Sequence, residues 1–130
     1  MLFRSLGTKV VMVNPYLEPG MQRYWVPSTA GSALFGTDIA DYWFPVAQGG
    51  DIAFLYGVLK MIFEHGWFDE KFVRERVENF AVLRDATAAV GWEEIEKGCG
   101  MQREAVREFA ELIRDAQTGV LVWRDRKSVV

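Results

Sequence analysis

Hydrophobic and polar positions follow two different periods along this chain. Lys9–Val13 (KVVMV) is an unbroken, mostly β-branched apolar run, stopped by Asn14-Pro15. Such a run predicts a strand buried on both faces, as in a parallel sheet. Pro15 cannot extend a ladder, so the strand ends there. From Tyr16 to Gly36, prolines, glycines and aromatics follow without period, predicting an ordered loop pinned by its aromatic side chains, with room for one helical turn. Trp43–Ala47 predicts a second strand, directly ahead of Gln48-Gly49-Gly50-Asp51.

The period then changes to that of a helix. With Asp51 as its N-cap, a helix to about His65 carries Ile52, Leu55, Leu59, Ile62 and Phe63 on one stripe. Phe54, Val58 and Met61 make a second face apolar, so this helix is expected to be heavily covered. Gly66 suits the left-handed position past a helix end. Asp69 begins another helix, with Phe72, Val73 and Val77 inward and Phe80 closing it. Val82–Ala89 predicts a short helix, and Gly91–Gly100 a helical turn anchored by Trp92 and Ile95. Gln102–Ala116 is strongly amphipathic, with Ala105, Phe109, Leu112, Ile113 and Ala116 on its inner face. Thr118-Gly119 leads into Val120–Trp123, a further strand of the buried type.

Strand, loop, strand, helices, strand is the order of an α/β fold with parallel pairing. The outer strands lack covering crossover elements, which predicts a fragment of a larger α/β protein. The closing hexapeptide, from Asp125 to Val130, resembles one reading frame of a common sequencing-adapter oligonucleotide. It is set aside as a non-native tail.

Composition narrows the function classes. Half of the 130 residues are hydrophobic, which excludes global disorder. The net charge of −3, without a basic block, disfavours nucleic acid and anionic lipid as partners. One cysteine, Cys99, and one histidine, His65, supply no CxxC, zinc set or iron–sulfur run. A lone thiol fits a reducing compartment, and neither a membrane span nor a signal peptide is legible, so a cytoplasmic location is expected. Cys99 between Gly98 and Gly100 reads as a small packing residue. His65 suits the negative end of a helix.

Two turns can carry chemistry: Asn14-Pro15 after the first strand, and Gln48-Gly49-Gly50-Asp51 before the long helix. Ligands of open α/β sheets lie beyond strand carboxyl ends, beside helix N-termini. Asp51 can accept two parallel hydrogen bonds, the pattern offered by the ring N–H and amino group of guanine. On residue chemistry alone, Gly-Gly-Asp reads as a tight turn with Asp51 capping the helix. Gly36-Thr37-Asp38 has a similar form but reads as a turn or short-helix cap. Tyr24, Trp25, Trp43 and Phe44 can stack on a base or pin the long loop. Asp69-Glu70 begin a helix, where negative charge is favourable without any catalytic role.

The runs KVVMVNPYLEPGMQRYWVPS and IADYWFPVAQGGDIAFLYGVLKMIFEHGWFDEKFVRERVENFAVLRDA present an ordered series. A strand with Asn-Pro, then Ala-Asp, Gly-x-Asp, a long apolar helix and Asp-x-x-Phe follow one another. In that order they resemble the molybdopterin-guanine-dinucleotide oxidoreductases, and within them the formate-dehydrogenase-like alpha subunits. The resemblance spans about Gly7 to Trp123 and includes the closing QREAVREFAELIRDAQTGVLVW. No single motif is specific; the series is.

This resemblance implies a partial Rossmann-like α/β domain over residues 1–124, with a mostly parallel sheet flanked by helices. The family's Gly-Thr-Asp falls on Gly49, Gly50 and Asp51, which implies contact with the guanine end of one pterin cofactor. Its strand-end Asp-Pro-Arg falls on Asn14, Pro15 and Tyr16, near the nucleotide. Asn14 replaces the common Asp and can still accept from a hydroxyl without adding charge. Tyr16 replaces the common Arg, and Gly50 replaces a Thr hydroxyl. The implied cofactor is molybdenum bis(molybdopterin guanine dinucleotide), held by an intact parent whose catalytic centre and metal ligand lie outside these residues. No catalytic or metal-binding residue is assigned in this chain, nor is an iron–sulfur cluster. The implied partners are the remainder of the parent polypeptide and an electron-transfer partner, with no nucleic acid and no membrane insertion. A non-catalytic α/β module that docks a protein partner is the alternative.

Overall fold

A computed structural model of the chain describes residues 7–19, 23–24 and 37–122. Along the chain lie β1 (Val11–Val13), β2 (Arg23–Tyr24), β3 (Thr37–Asp38) and β4 (Tyr42–Phe44). Helices α1 (Asp51–His65), α2 (Glu70–Arg76), α3 (Phe80–Ala89), α4 (Trp92–Cys99) and α5 (Arg103–Asp115) follow. The architecture is mixed α/β and helix-rich around a small parallel pair. β1 and β4 run parallel with Met12 opposite Trp43, while β2 and β3 form a short antiparallel pair. Asp41 starts the parallel ladder: its carboxylate accepts the Val10 N–H at 2.7 Å, and its own N–H donates to Val10 O at 2.8 Å.

β4 starts one residue before the expected Trp43–Ala47 strand and ends three residues before its end, because Pro45 ends the ladder after Phe44. Thr37-Asp38 is a strand, not the expected turn or cap, since it finds a ladder partner in Arg23-Tyr24. Val120, Leu121 and Val122 are 87–90% exposed and form no strand. A buried-type apolar run becomes a strand only where a neighbouring ladder exists. Gly36, Trp25, Trp123 and the 125–130 tail lie outside the described residues.

Helix α1 organises the interior by packing on α3, α4 and α5. Its buried face is Phe54, Gly57, Val58 and Met61, whereas Ile52 is 71% exposed and Leu55 is exposed too. Both stripes obey the helical period, so the sequence could not choose between them; the docking of α4 and α5 did. Edge-on aromatic packing joins the layers: Phe109 of α5 lies 5.1 Å from Phe44 and 5.0 Å from Phe54 between ring centroids. On α5 the buried stripe is Val106, Phe109 and Ala110, with Ile113 turned outward. Phe80 does not close α2; it opens α3 and packs against Phe63 and Phe68. Helix α2 buries no residue, and Phe72 is exposed rather than inward. Asp69 caps α2 by accepting the Phe72 N–H at 2.9 Å, and Gly66 ends α1 with a φ of 67°. Lys60, almost fully buried, donates to Ala88 O at 2.9 Å, placing its charge at the negative end of α3.

Between β4 and α1 the chain turns against the end of α4. Ala47 N–H donates to Cys99 O at 2.7 Å, and Gly50 N–H closes the turn on Ala47 O at 2.8 Å. A Cβ at Gly50 would stand 2.7 Å from Gly98 O and 2.9 Å from the Cys99 Cα. The same seam brings Gly98 against the Ala53 methyl and Gly100 against the Ala47 methyl. Cys99 is fully buried within it, as the packing reading expects.

Gly50→Ala should lower stability by about 2 kcal/mol, because backbone rather than a side-chain tip must yield. Gly49→Ala, strained only by its left-handed backbone, should cost about 1 kcal/mol. Urea denaturation of the two variants checks the order, and a Gly50→Ala midpoint equal to the parent's would refute the seam. The Cys99 thiol should react with a disulfide reagent no faster than the seam opens, in seconds-to-minutes labelling of the folded chain. Labelling as fast as in denaturant contradicts that burial.

Candidate functional site at the strand ends

Parallel pairing places the carboxyl ends of β1 and β4 on one side of the sheet. Asn14, the residue after β1, donates its N–H to Phe44 O at 3.2 Å. Its carbonyl accepts the Trp43 indole N–H at 2.9 Å, and its side-chain Nδ2 donates to Tyr16 O at 2.8 Å. Oδ1 of Asn14 and its second Nδ2 hydrogen have no partner among the described residues. This half-buried residue is therefore held on three sides, and Oδ1 is the acceptor it offers. Pro15 and Tyr16 are exposed beside it.

The chain leaving β4 reaches Gly49, Gly50 and Asp51 within seven residues of Phe44. Gly49 adopts a φ of 78° and has no heavy atom within 4 Å of where a Cβ would stand, so this side of the turn is open. Gly50 is buried in the seam with α4 and is itself the N-cap of α1. Asp51 is the first helical residue instead of the expected cap, and no side chain caps α1. The first N–H groups of α1 are thus left open at the positive end of its dipole. The Asp51 carboxylate is exposed and has no hydrogen-bond partner among the described residues. The two segments that leave this end of the parallel pair thus carry two unpartnered acceptors and an uncapped helix start.

Trp43 and Phe44, both candidates for stacking, divide. Phe44 is sealed in the core, whereas Trp43 is 40% exposed and tied to Asn14. Sequence reasoning missed three features here: the Asp41 bracket, the Trp43–Asn14 bond and the fit of Gly98-Cys99-Gly100 on the β4–α1 turn. The run of small residues ending α4 was the signal available for the last. His65 holds Met61 O at 3.0 Å through Nδ1 and lies against Trp67, a helix-end role.

Other features sit elsewhere. A cavity of about 210 Å³ between α1 and α3 is lined by Lys60, Phe63 and Thr87 among others. The Arg114 hydrogen bond holds the Asp115 carboxyl below the ordinary carboxylate range and raises Arg114 in turn, at the end of α5. No described helix is long and apolar enough to cross a membrane. Among the described residues, no group of three His, Cys, Asp or Glu side chains is arranged to hold a metal ion.

No family model matches the chain. An uncharacterized oxidoreductase of Mycobacterium bovis, Mb2924c, is 26% identical over 127 residues, covering 92% of this chain and 16% of its own length. The putative formate dehydrogenase YrhE of Bacillus subtilis is 29% identical over 84 residues, 65% of this chain and 9% of that protein. The solved structure of acetylene hydratase from Pelobacter acetylenicus superposes with a TM-score of 0.69 at 19% identity, over 93% of this chain and 14% of the neighbour. The chain thus spans about a sixth of the length of the curated relatives that it matches over nine-tenths of its own. These likenesses bear out the resemblance of the chain to a segment of oxidoreductases, a putative formate dehydrogenase among them, and the solved neighbour shows a shared fold.

Proposed function

We propose that this chain is a Rossmann-like segment of the catalytic subunit of a formate-dehydrogenase-like molybdenum oxidoreductase. Its strand-end edge seats the guanine end of a molybdopterin guanine dinucleotide. One observation carries the reading: the unpartnered acceptors of Asn14 and Asp51 lie on two segments that leave the same end of the parallel pair, at an uncapped helix start.

The donor and acceptor set fits a guanine nucleotide. The Asp51 carboxylate accepts from the ring N–H and amino group of guanine side by side, and Asn14 Oδ1 accepts from a ribose hydroxyl. Gly49 leaves room for the ligand to approach the backbone. The open N–H groups of α1 favour a phosphate. Gly50 contributes by position, since its close approach to Gly98 and Cys99 sets where α1 begins. Pro15 stiffens the turn that carries Tyr16 along the rim.

In the intact parent the bound molybdenum centre supplies two-electron redox chemistry, with formate oxidation as the family precedent. The part played by these residues is anchorage: binding energy gathered at the remote nucleotide fixes the reactive end of the group. The remainder of the parent polypeptide and an electron-transfer partner complete the assembly. The exposed Val120–Val122 run favours a second reading, a non-catalytic module whose apolar surface docks a protein. Genomic sequence on either side separates the two readings, because an open frame with further cofactor-binding segments belongs to the enzyme.

Guanosine monophosphate should bind the folded chain more tightly than adenosine monophosphate. Asp51→Ala should weaken the guanosine nucleotide about tenfold, the scale of a charged two-point hydrogen bond. Calorimetric or NMR titration measures both. Equal affinity of the parent and Asp51→Ala for guanosine monophosphate would remove the assignment.

A further inference from the structure

Trp43 stands on β4 but its hydrogen bond crosses to the neighbouring strand end. Its indole N–H donates to Asn14 O at 2.9 Å, the same residue whose N–H is held by Phe44 O at 3.2 Å. Both sides of the Asn14 backbone are thereby fixed by two consecutive residues of β4. One of the two Nδ2 hydrogens is spent on Tyr16 O at 2.8 Å. That bond sets the rotation of the amide, so Oδ1 is the atom left to accept from outside. A tryptophan ring 40% exposed is a costly way to satisfy one carbonyl, and water at that open edge would do the same. What the indole adds is direction.

We propose that Trp43 is a positioning residue: through its indole bond to the Asn14 carbonyl it holds Asn14 Oδ1 in place to accept from a ribose hydroxyl of the bound nucleotide. This rests on the nucleotide-binding reading above and assigns its sugar discrimination to a residue that never touches the ligand. The ring of Trp43→Phe keeps the bulk and loses the donor, so the Asn14 turn loosens while the strand pair persists. The guanine contact of Asp51 is on a separate segment and stays in place.

The test compares guanosine monophosphate with 2′,3′-dideoxyguanosine monophosphate on the 130-residue chain. The parent should prefer the ribonucleotide about fivefold, one neutral hydrogen bond's worth. Trp43→Phe should bind the ribonucleotide about fivefold more weakly, bind the dideoxy form as the parent does, and show no preference. A general loss of structure would weaken both ligands together and leave their ratio unchanged, and that result overturns the proposal. If Trp43→Phe does not fold, the parent's indole ¹H–¹⁵N signals decide. The Trp43 signal should shift with the ribonucleotide and stay with the dideoxy form, and an unmoved signal overturns the proposal. A parent that binds both nucleotides equally defeats the Trp43 role and spares the guanine site. A parent that binds neither defeats both.

Discussion

Where the β4–α1 turn meets the end of α4, two stretches of backbone touch with almost no side chain between them. The Ala47 N–H reaches Cys99 O at 2.7 Å, and Gly98 O occupies the place that a Cβ on residue 50 would need. Such an approach demands small residues on both sides, and Ala47, Gly50, Ala53, Gly98, Cys99 and Gly100 supply them. The seam fixes the start of α1 relative to β4. Because α1 is also the helix on which α3, α4 and α5 pack, the placement of the interior follows from the same contact.

Consequences for the strand ends are direct. A helix whose N-cap is a buried glycine has no side chain to satisfy its first N–H groups, so they remain available beside the turn. The carboxylate of Asp51, displaced from the capping position by one residue, points its chemistry outward instead of into its own helix. On the neighbouring strand Asn14 is held by Tyr16, Phe44 and Trp43 and leaves Oδ1 without a partner among the described residues. The two segments that leave this end of the parallel pair therefore carry two unpartnered acceptors and an uncapped helix start.

Much of the molecule was readable from local pattern. The span of α1, its glycine stop, the Asp69 cap, the packing role of Cys99 and the anchors Trp92 and Ile95 each depend on neighbours a few residues away. The failures share a cause as well. Ile52 and Leu55 lost to Phe54 and Val58, and Ile113 lost to Val106, because an apolar helix with two usable faces is oriented by whatever docks on it. Val120–Val122 had a strand's composition and no ladder to join among the described residues. At the candidate site the residue types were legible, but the indole of Trp43 reaching Asn14 across 29 positions was not.

Sequence by itself determined the α/β class, the turns at Asn14-Pro15, Gly49-Gly50 and Gly66, and the identity of the groups at the strand ends. Those properties come from covalent geometry, side-chain chemistry and short-range periodicity, which act within a few residues. Tertiary structure alone decided which helix face is buried, that Gly50 belongs to a backbone seam, and that the segments after β1 and β4 leave the same end of the parallel pair. These depend on contacts between segments far apart in the chain, and such contacts exist only once the strands have paired and the helices have packed.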